Sequence, residues 1–231
     1  MNVNTNGCPF CNEFNGRKEL SYFENTYGKK FGLQNRCVME TTNFACVPSI
    51  GSFVPGYVLV IPRKHFFSYL GMPDSYLCEC QKIIKILEYH FHNCYQSGYI
   101  LFEHGAGDES NPGGTSVVHA HLHLLPCNTE IISKCPEYQF ISFTNFFDTV
   151  EYYRKSGHNK PYLLFRDCNA TWYLSLSNNI PSQYFRKRIC DILGTPGMGD
   201  WKAFPFIENV QKTIANAQQY ELQKHKRLIE W

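Results

Sequence analysis

His119-Ala120-His121-Leu122-His123-Leu124-Leu125 places an imidazole at every second position of an otherwise apolar run. Alternate residues of a strand project to one face. The spacing therefore predicts three imidazoles on one side and Ala120, Leu122 and Leu124 toward a core on the other. Histidine is seldom fully buried without a partner, so three on one face argue for chemistry rather than packing. Two chemistries stay open here. The three imidazoles can share a metal ion, or one can attack an electrophile while its neighbours orient it.

Just upstream runs the loop Gly105-Ala106-Gly107-Asp108-Glu109-Ser110-Asn111-Pro112-Gly113-Gly114, followed by Thr115 and Ser116. Backbone N–H groups of such a loop, with the Ser116 hydroxyl, can cradle an anion. The loop is a weak signal alone, since a plain hairpin turn has the same composition. Joined to three same-face histidines it favours chemistry at phosphorus. Asp108 and Glu109 either form a loop charge pair or hold a substrate-bound Mg²⁺. Tyr99 to Glu103 and Val117 to Leu125, the latter ended by Pro126, read as the two strands of this hairpin.

Farther out, Val54-Pro55-Gly56 is a turn signal before the β-rich run Tyr57-Val58-Leu59-Val60-Ile61, closed by Pro62. Arg36 to Glu40 and Phe44 to Val47 are shorter strand candidates. From Asp74 to about Tyr95 the period changes, and Leu77, Cys80, Ile84, Leu87, Phe91 and Cys94 fall on one helical face. Asp74 is placed to cap this helix and Gly98 to stop it, with His90 and His92 solvated near its end. Past Pro126, strands are expected at Tyr138 to Phe143, Tyr162 to Arg166 and Thr171 to Leu176. A Ser182-capped helix should turn Phe185, Ile189 and Ile192 inward, stop at Gly194, and expose Arg186-Lys187-Arg188. A last helix follows Pro205, with Ile207, Val210, Ile214 and Ala217 on one side.

The 231 residues, 43% hydrophobic, suffice for a sizeable core. With 22 basic against 20 acidic side chains the net charge is +2, which argues against general nucleic-acid binding. No apolar run approaches the roughly 18 to 20 residues of a membrane span. The polar start, Met1 to Asn6, has neither the basic nor the apolar region of a signal peptide, so a cytoplasmic, reducing compartment is expected. Eleven cysteines cannot all pair within one chain. Cys37, Cys46, Cys78, Cys80, Cys94 and Cys190 stand among apolar neighbours and read as core thiols. Cys8-Pro9-Phe10-Cys11 is different: a two-residue gap lets both thiolates face one tetrahedral ion.

In these residues the chain resembles the histidine-triad (HIT) family of nucleotide hydrolases and transferases. The matching stretches are His119 to Leu125, Ser116, Pro55-Gly56-Tyr57-Val58-Leu59-Val60-Ile61-Pro62-Arg63-Lys64-His65, Phe102-Glu103-His104-Gly105 and Cys8-Pro9-Phe10-Cys11. The resemblance implies an α+β fold, an antiparallel sheet with a long packed helix. It assigns 1–130 to the HIT-like catalytic domain and 131–231 to a mixed α/β C-terminal extension packed on it, which caps the site or selects the leaving group.

The resemblance further implies that His121 attacks the α-phosphorus of a nucleotide, aligned by the main-chain carbonyl of His119. His123 and Ser116 would contact the phosphate and help the leaving group depart. Ser49, Glu103, Gly114, Thr115 and Ser116 are the expected nucleotide contacts. Zinc would be held, structurally, by Cys8, Cys11, His65 and His119, and a homodimer is the default assembly. A histidine at the third triad position, His123, points to water as acceptor. Transfer to phosphate or a sugar phosphate is the alternative, a catalytically silent nucleotide-binding protein another, and a catalytic zinc at the triad a third.

Two positions depart from the family pattern. Pro48-Ser49 stands where Asp or Asn often holds the ribose, and Glu103 where Gln or Asn is common. A carboxylate there repels phosphate unless it turns away.

Overall fold

A computed structural model describes residues 7–14, 16, 18–33, 35–109, 111–222 and 224. The polar start Met1 to Asn6 and loop residue Ser110 lie outside the described residues. Among the described residues, eight strands form one antiparallel sheet: β1 (Met39–Glu40), β2 (Phe44–Pro48), β3 (Val58–Pro62), β4 (Tyr99–Gly105), β5 (Leu122–Pro126), β6 (Ile141–Phe143), β7 (Tyr162–Arg166) and β8 (Trp172–Leu176). Their order is β1-β2-β3-β5-β4-β7-β8-β6. Among the described residues, six α-helices accompany them: α1 (Pro9–Phe14), α2 (Lys29–Phe31), α3 (Asp74–Tyr95), α4 (Phe146–Tyr152), α5 (Tyr184–Ile192) and α6 (Ile207–Gln219). Among the described residues, no helix is long and apolar enough to cross a membrane.

The central strands are apolar on both faces, as strands covered on both sides must be. In β3, Val58 and Val60 pack toward α3 together with Leu77, Cys80, Ile84, Leu87 and Phe91. Leu59 and Ile61 point the other way, into a core shared with Phe10, Phe102, Phe185 and Ile189. The α+β architecture is as expected, and α3 has the predicted bounds. The strand begins beyond a turn at Gly56, whose φ of +85° and close approach to Tyr95 and Pro126 leave no room for a Cβ. Residues beyond 130 do not form a separate layer: β7 pairs with β4, and β8 and β6 continue the same sheet.

Several local expectations are corrected. The predicted strand from Val117 begins only at Leu122. Its neighbour β3 ends at Pro62, which has no N–H to donate, and the Pro62 carbonyl accepts from the His119 ring instead. The Ala120 N–H accordingly goes to the Phe66 carbonyl. Asp74 does not cap α3: Pro73 precedes the first turn, and Asp74 pairs with Arg154. The left-handed stop is Gln96, not Gly98. Nor does Ser182 cap α5, whose first turn follows Gln183 in the left-handed region. His90 is buried against Phe91 and Tyr220 rather than solvated, because α6 leads the chain back over α3. Cys78 is exposed and Cys37 and Cys94 half-buried, while Cys46, Cys80 and Cys190 sit in the core. The helical stretch from α1 to α2, which closes one end of the site, has no clear periodic signal in the sequence.

Glu103 is fully buried on the α3 face of β4. Its carboxylate accepts from the Tyr69 N–H at 3.0 and 3.2 Å and from the Tyr162 hydroxyl. Burial outweighs those bonds and pushes its pKa from 4.5 up to about 8. Its titratable neighbours Tyr69, Tyr162 and Cys80 are pushed up as well. A folded-state value above the unfolded one means stability that is full below about pH 4.5 and is lost as pH rises through about 8. Denaturant titrations from pH 4.5 to 8.5 should show Glu103→Gln losing less stability than the parent over this range, by on the order of a few kcal/mol. Parallel profiles would remove Glu103 from that account.

Candidate active site

The chain enters the site at Cys8, and Asn12 N–H bonds to the Cys8 carbonyl at 3.1 Å to close the first turn of α1. Cys8 and Cys11, three residues apart on that turn, share a face. Opposite them stand His65, just past β3, and His119, just before β5. Cys8 Sγ lies 3.3 Å from His119 Nδ1, Cys11 Sγ 3.3 Å from His65 Nδ1, and Cys11 Sγ 3.5 Å from His119 Nδ1. The four donor atoms lie within 4.8 Å of one another. Zinc at its usual bond lengths would hold such a sulfur and nitrogen about 3.6 Å apart at the tetrahedral angle.

The protonation states also suit a metal. Hydrogen bonding from Cys11, then from His119 and His65, pulls the Cys8 thiol down to about 2 against the penalty of burial. His119 Nε2–H donates to the Pro62 carbonyl at 2.8 Å, which leaves the Nδ1 lone pair for the cluster. These residues fit the structural zinc that the sequence resemblance implies. Asp108 instead accepts from the Asn111 N–H, and among the described residues neither it nor Glu109 joins a ligand cluster for Mg²⁺.

The three histidines remain on one side although only His123 lies in the regular strand. His119 and His121 both meet the Phe10 ring, with centroids 5.7 and 5.4 Å away, and His121 and His123 are 4.8 Å apart. His121 Nδ1 lies 2.6 Å from the His119 carbonyl. A carbonyl only accepts, so Nδ1 carries the proton and the Nε2 lone pair is free. Burial lowers the His121 pKa to about 4, although the carbonyl bond pulls it up, so the ring is neutral near pH 7. His123 stacks on Phe102 at 4.4 Å with 8° between the planes, and its Nδ1 lies 2.8 Å from the Tyr57 hydroxyl.

His121 and His123 open on a cleft lined also by Phe102, Arg186 and Trp201. Ser49, Thr115 and Ser116, three of the expected nucleotide contacts, line it, and Thr115 Oγ1 is buried there without a hydrogen-bond partner. Such a hydroxyl has hydrogen-bonding capacity to offer a water or a polar ligand group in the cleft. Gly114 does not line the cleft: it packs on the Ile180 carbonyl. Glu103 is likewise absent from it. Strand alternation turns its neighbours Phe102 and His104 toward the cleft and Glu103 to the opposite face, so the feared repulsion of phosphate does not arise. His104 Nε2–H donates to the Gly113 carbonyl at 2.7 Å and holds the glycine loop against β4.

Arg186 is the largest correction. It is 5% exposed rather than solvated, and its guanidinium lines the cleft. It donates to Ser49 Oγ (3.2 Å), the Tyr57 hydroxyl (2.9 Å), the Gly51 carbonyl (2.7 Å) and the Gly199 carbonyl (3.3 Å). Each acceptor is neutral. Gly51 has φ +76°, and a Cβ there would come within 2.5 Å of the guanidinium. The signal was present: Arg186, Ile189 and Cys190 stand at i, i+3 and i+4 of α5, the buried stripe of that helix. At the outer end, Arg36 pairs through two 2.8 Å bonds with Glu13 and lies over Phe23, near Tyr22 and Trp201.

Residues 32–130 match the family model described as HIT domain. An uncharacterized HIT-like protein of Chlamydia muridarum is 33% identical over 92 residues, 38% of this chain and 68% of that protein. Among solved structures, a hypothetical histidine triad nucleotide-binding protein of Sulfolobus tokodaii is 24% identical. That comparison covers 52% of this chain and 68% of the other, at a TM-score of 0.38. Yeast Ap4A phosphorylase in complex with AMP is 10% identical over 80% of this chain and 81% of that one, at a TM-score of 0.42. The matched span holds the Pro-Gly strand, His65 and all three histidines, and the relative is shared over two thirds of its length: the chain belongs to the histidine-triad (HIT) family.

Proposed function

We propose that this protein is a nucleotide hydrolase that acts at the α-phosphate through a nucleotidyl-His121 intermediate and releases a nucleoside monophosphate. Dinucleoside polyphosphates and nucleoside phosphoramidates are the substrate classes. The observation that carries the reading is the fixed state of His121: Nδ1–H held by the His119 carbonyl at 2.6 Å, with a neutral ring and a free Nε2 lone pair at the cleft. In the first step Nε2 bonds to phosphorus as the bond to the leaving group breaks. Water then displaces His121 and yields the monophosphate. Two displacements replace one difficult substitution.

The surroundings support an anionic substrate. Arg186 is buried with neutral partners alone among its hydrogen bonds, so its charge is free to act on a phosphate placed in the cleft. Thr115 Oγ1 and Ser116 are in reach of the same space. Tyr22, Phe23 and Trp201 at the outer end offer faces for a planar base. In this reading 1–130 is the catalytic unit and 131–231 adds the wall that bears Arg186. Cys8, Cys11, His65 and His119 hold zinc, which when bound neutralises the thiolates and stiffens His119. A homodimer is carried by the family resemblance alone.

Incubation with a labelled dinucleoside polyphosphate, quenched without acid, is expected to trap an acid-labile adduct in the parent and none in His121→Asn. Turnover should fall on the order of 10³-fold or more, as for loss of a nucleophile. A parent that never forms the adduct defeats the nucleophile assignment. Products that appear only with added phosphate or sugar phosphate would select transfer over hydrolysis, and tight binding without consumption would make the chain a silent binder.

Metal analysis should find about one zinc per chain, lost in Cys8→Ser and in His65→Ala, with a lower Tm in both. Zinc that survives Cys8→Ser but disappears in His121→Ala and His123→Ala would place the metal at the triad instead.

A further inference from the structure

His119 and His121 are each oriented by a main-chain carbonyl, whereas His123 is oriented by a side chain, Tyr57. The protons along this contact can be counted. Arginine only donates, so Arg186 Nη1–H donates to the Tyr57 oxygen across 2.9 Å. The Ser49 hydroxyl, which also neighbours Tyr57, accepts from Arg186 and spends its own proton on the Ile50 carbonyl at 3.1 Å. A neutral imidazole nitrogen is a stronger acceptor than a hydroxyl oxygen. The single Tyr57 proton therefore goes to His123 Nδ1, 2.8 Å away. An Nδ1 that accepts leaves the imidazole proton on Nε2.

We propose that Arg186 and Tyr57 are positioning residues that hold His123 as its Nε2–H tautomer, making it a hydrogen-bond donor to the substrate. The two adjacent imidazoles then differ in kind. His121 offers a lone pair from Nε2, and His123, 4.8 Å from it, offers an N–H. Two lone pairs facing one phosphate would repel it, so the opposite tautomers make the pair complementary to an anion under attack. The 8° stack on Phe102 fixes the plane in which that N–H points. His123 needs no net charge to donate, which suits its buried place beside Arg186 and His121. Arg186 stands on α5, so residues far from the triad in sequence set its third member. The use of the donor rests on the function proposed above, whereas the tautomer itself does not.

The test is a long-range ¹H–¹⁵N correlation spectrum of the zinc-loaded protein without nucleotide, with His123 assigned by its loss in His123→Asn. The parent is expected to show a protonated Nε2 and an unprotonated Nδ1 at neutral pH. Tyr57→Phe keeps the ring packing but removes the donor, and should shift His123 toward Nδ1–H. It should also lower kcat by roughly 10- to 100-fold, the usual cost of a lost orienting bond, with KM changing far less. If Tyr57→Phe does not fold, Arg186→Gln removes the donor onto the phenol and should weaken the same preference. A parent carrying the proton on Nδ1, or a Tyr57→Phe spectrum with the parental tautomer, overturns the proposal. Nε2–H on His123 in a protein that consumes no nucleotide would sustain the positioning role and defeat the functional reading instead.

Discussion

His119 satisfies three partners at once, and the site depends on all three. Its Nε2–H is spent on the Pro62 carbonyl, its Nδ1 faces two cysteine sulfurs, and its main-chain carbonyl holds the His121 ring. Each bond restricts the others. The ring cannot rotate to free Nε2 without withdrawing Nδ1 from the cluster, and the backbone cannot shift without releasing His121. The cost appears in the sheet, where β5 gives up pairing at Pro62 and regains order only at Leu122.

Charge is distributed over the two faces of the same sheet in opposite ways. On the α3 face, burial holds the Glu103 carboxyl protonated well above its ordinary range, so that face is close to neutral. On the cleft face, the Arg186 guanidinium is buried among hydroxyls and carbonyls, with its charge intact. One residue of offset along β4 separates the two environments. A carboxylate at position 102 or 104 would have neutralised the cleft; at 103 it instead ties the Tyr69 segment and Tyr162 to the sheet.

Much of the fold and the inner site was legible because their signals are local. The 3.6-residue period of α3, the Pro-Gly start of β3 and the alternating histidines each arise within one element, where backbone geometry fixes the side-chain direction. The Cys-x-x-Cys spacing gave a metal half-site for the same reason. The failures share another cause. Asp74 and Ser182 have the side chains of caps, but Asp74 pairs with Arg154 and α5 starts after Gln183, and nothing near His90 in sequence announces the Tyr220 segment that covers it. The basic run at Arg186 was ambiguous in itself, since a charged triplet on a short helix usually faces water.

The sequence by itself determined which residues could do chemistry: three histidines at strand spacing, two cysteines on one turn, a glycine loop and a strand that must be apolar on both sides. Those follow from covalent geometry and short-range periodicity. Only the tertiary structure decided how they are used. It brought Cys8 and Cys11 across to His65 and His119, turned Glu103 away, and drove Arg186 from the far end of the chain onto Tyr57 and so onto His123. Hydrogen bonds between residues more than a hundred positions apart form only when packing makes them neighbours. No spacing rule encodes that, because the energy that selects such contacts comes from burying the whole core rather than from any one segment.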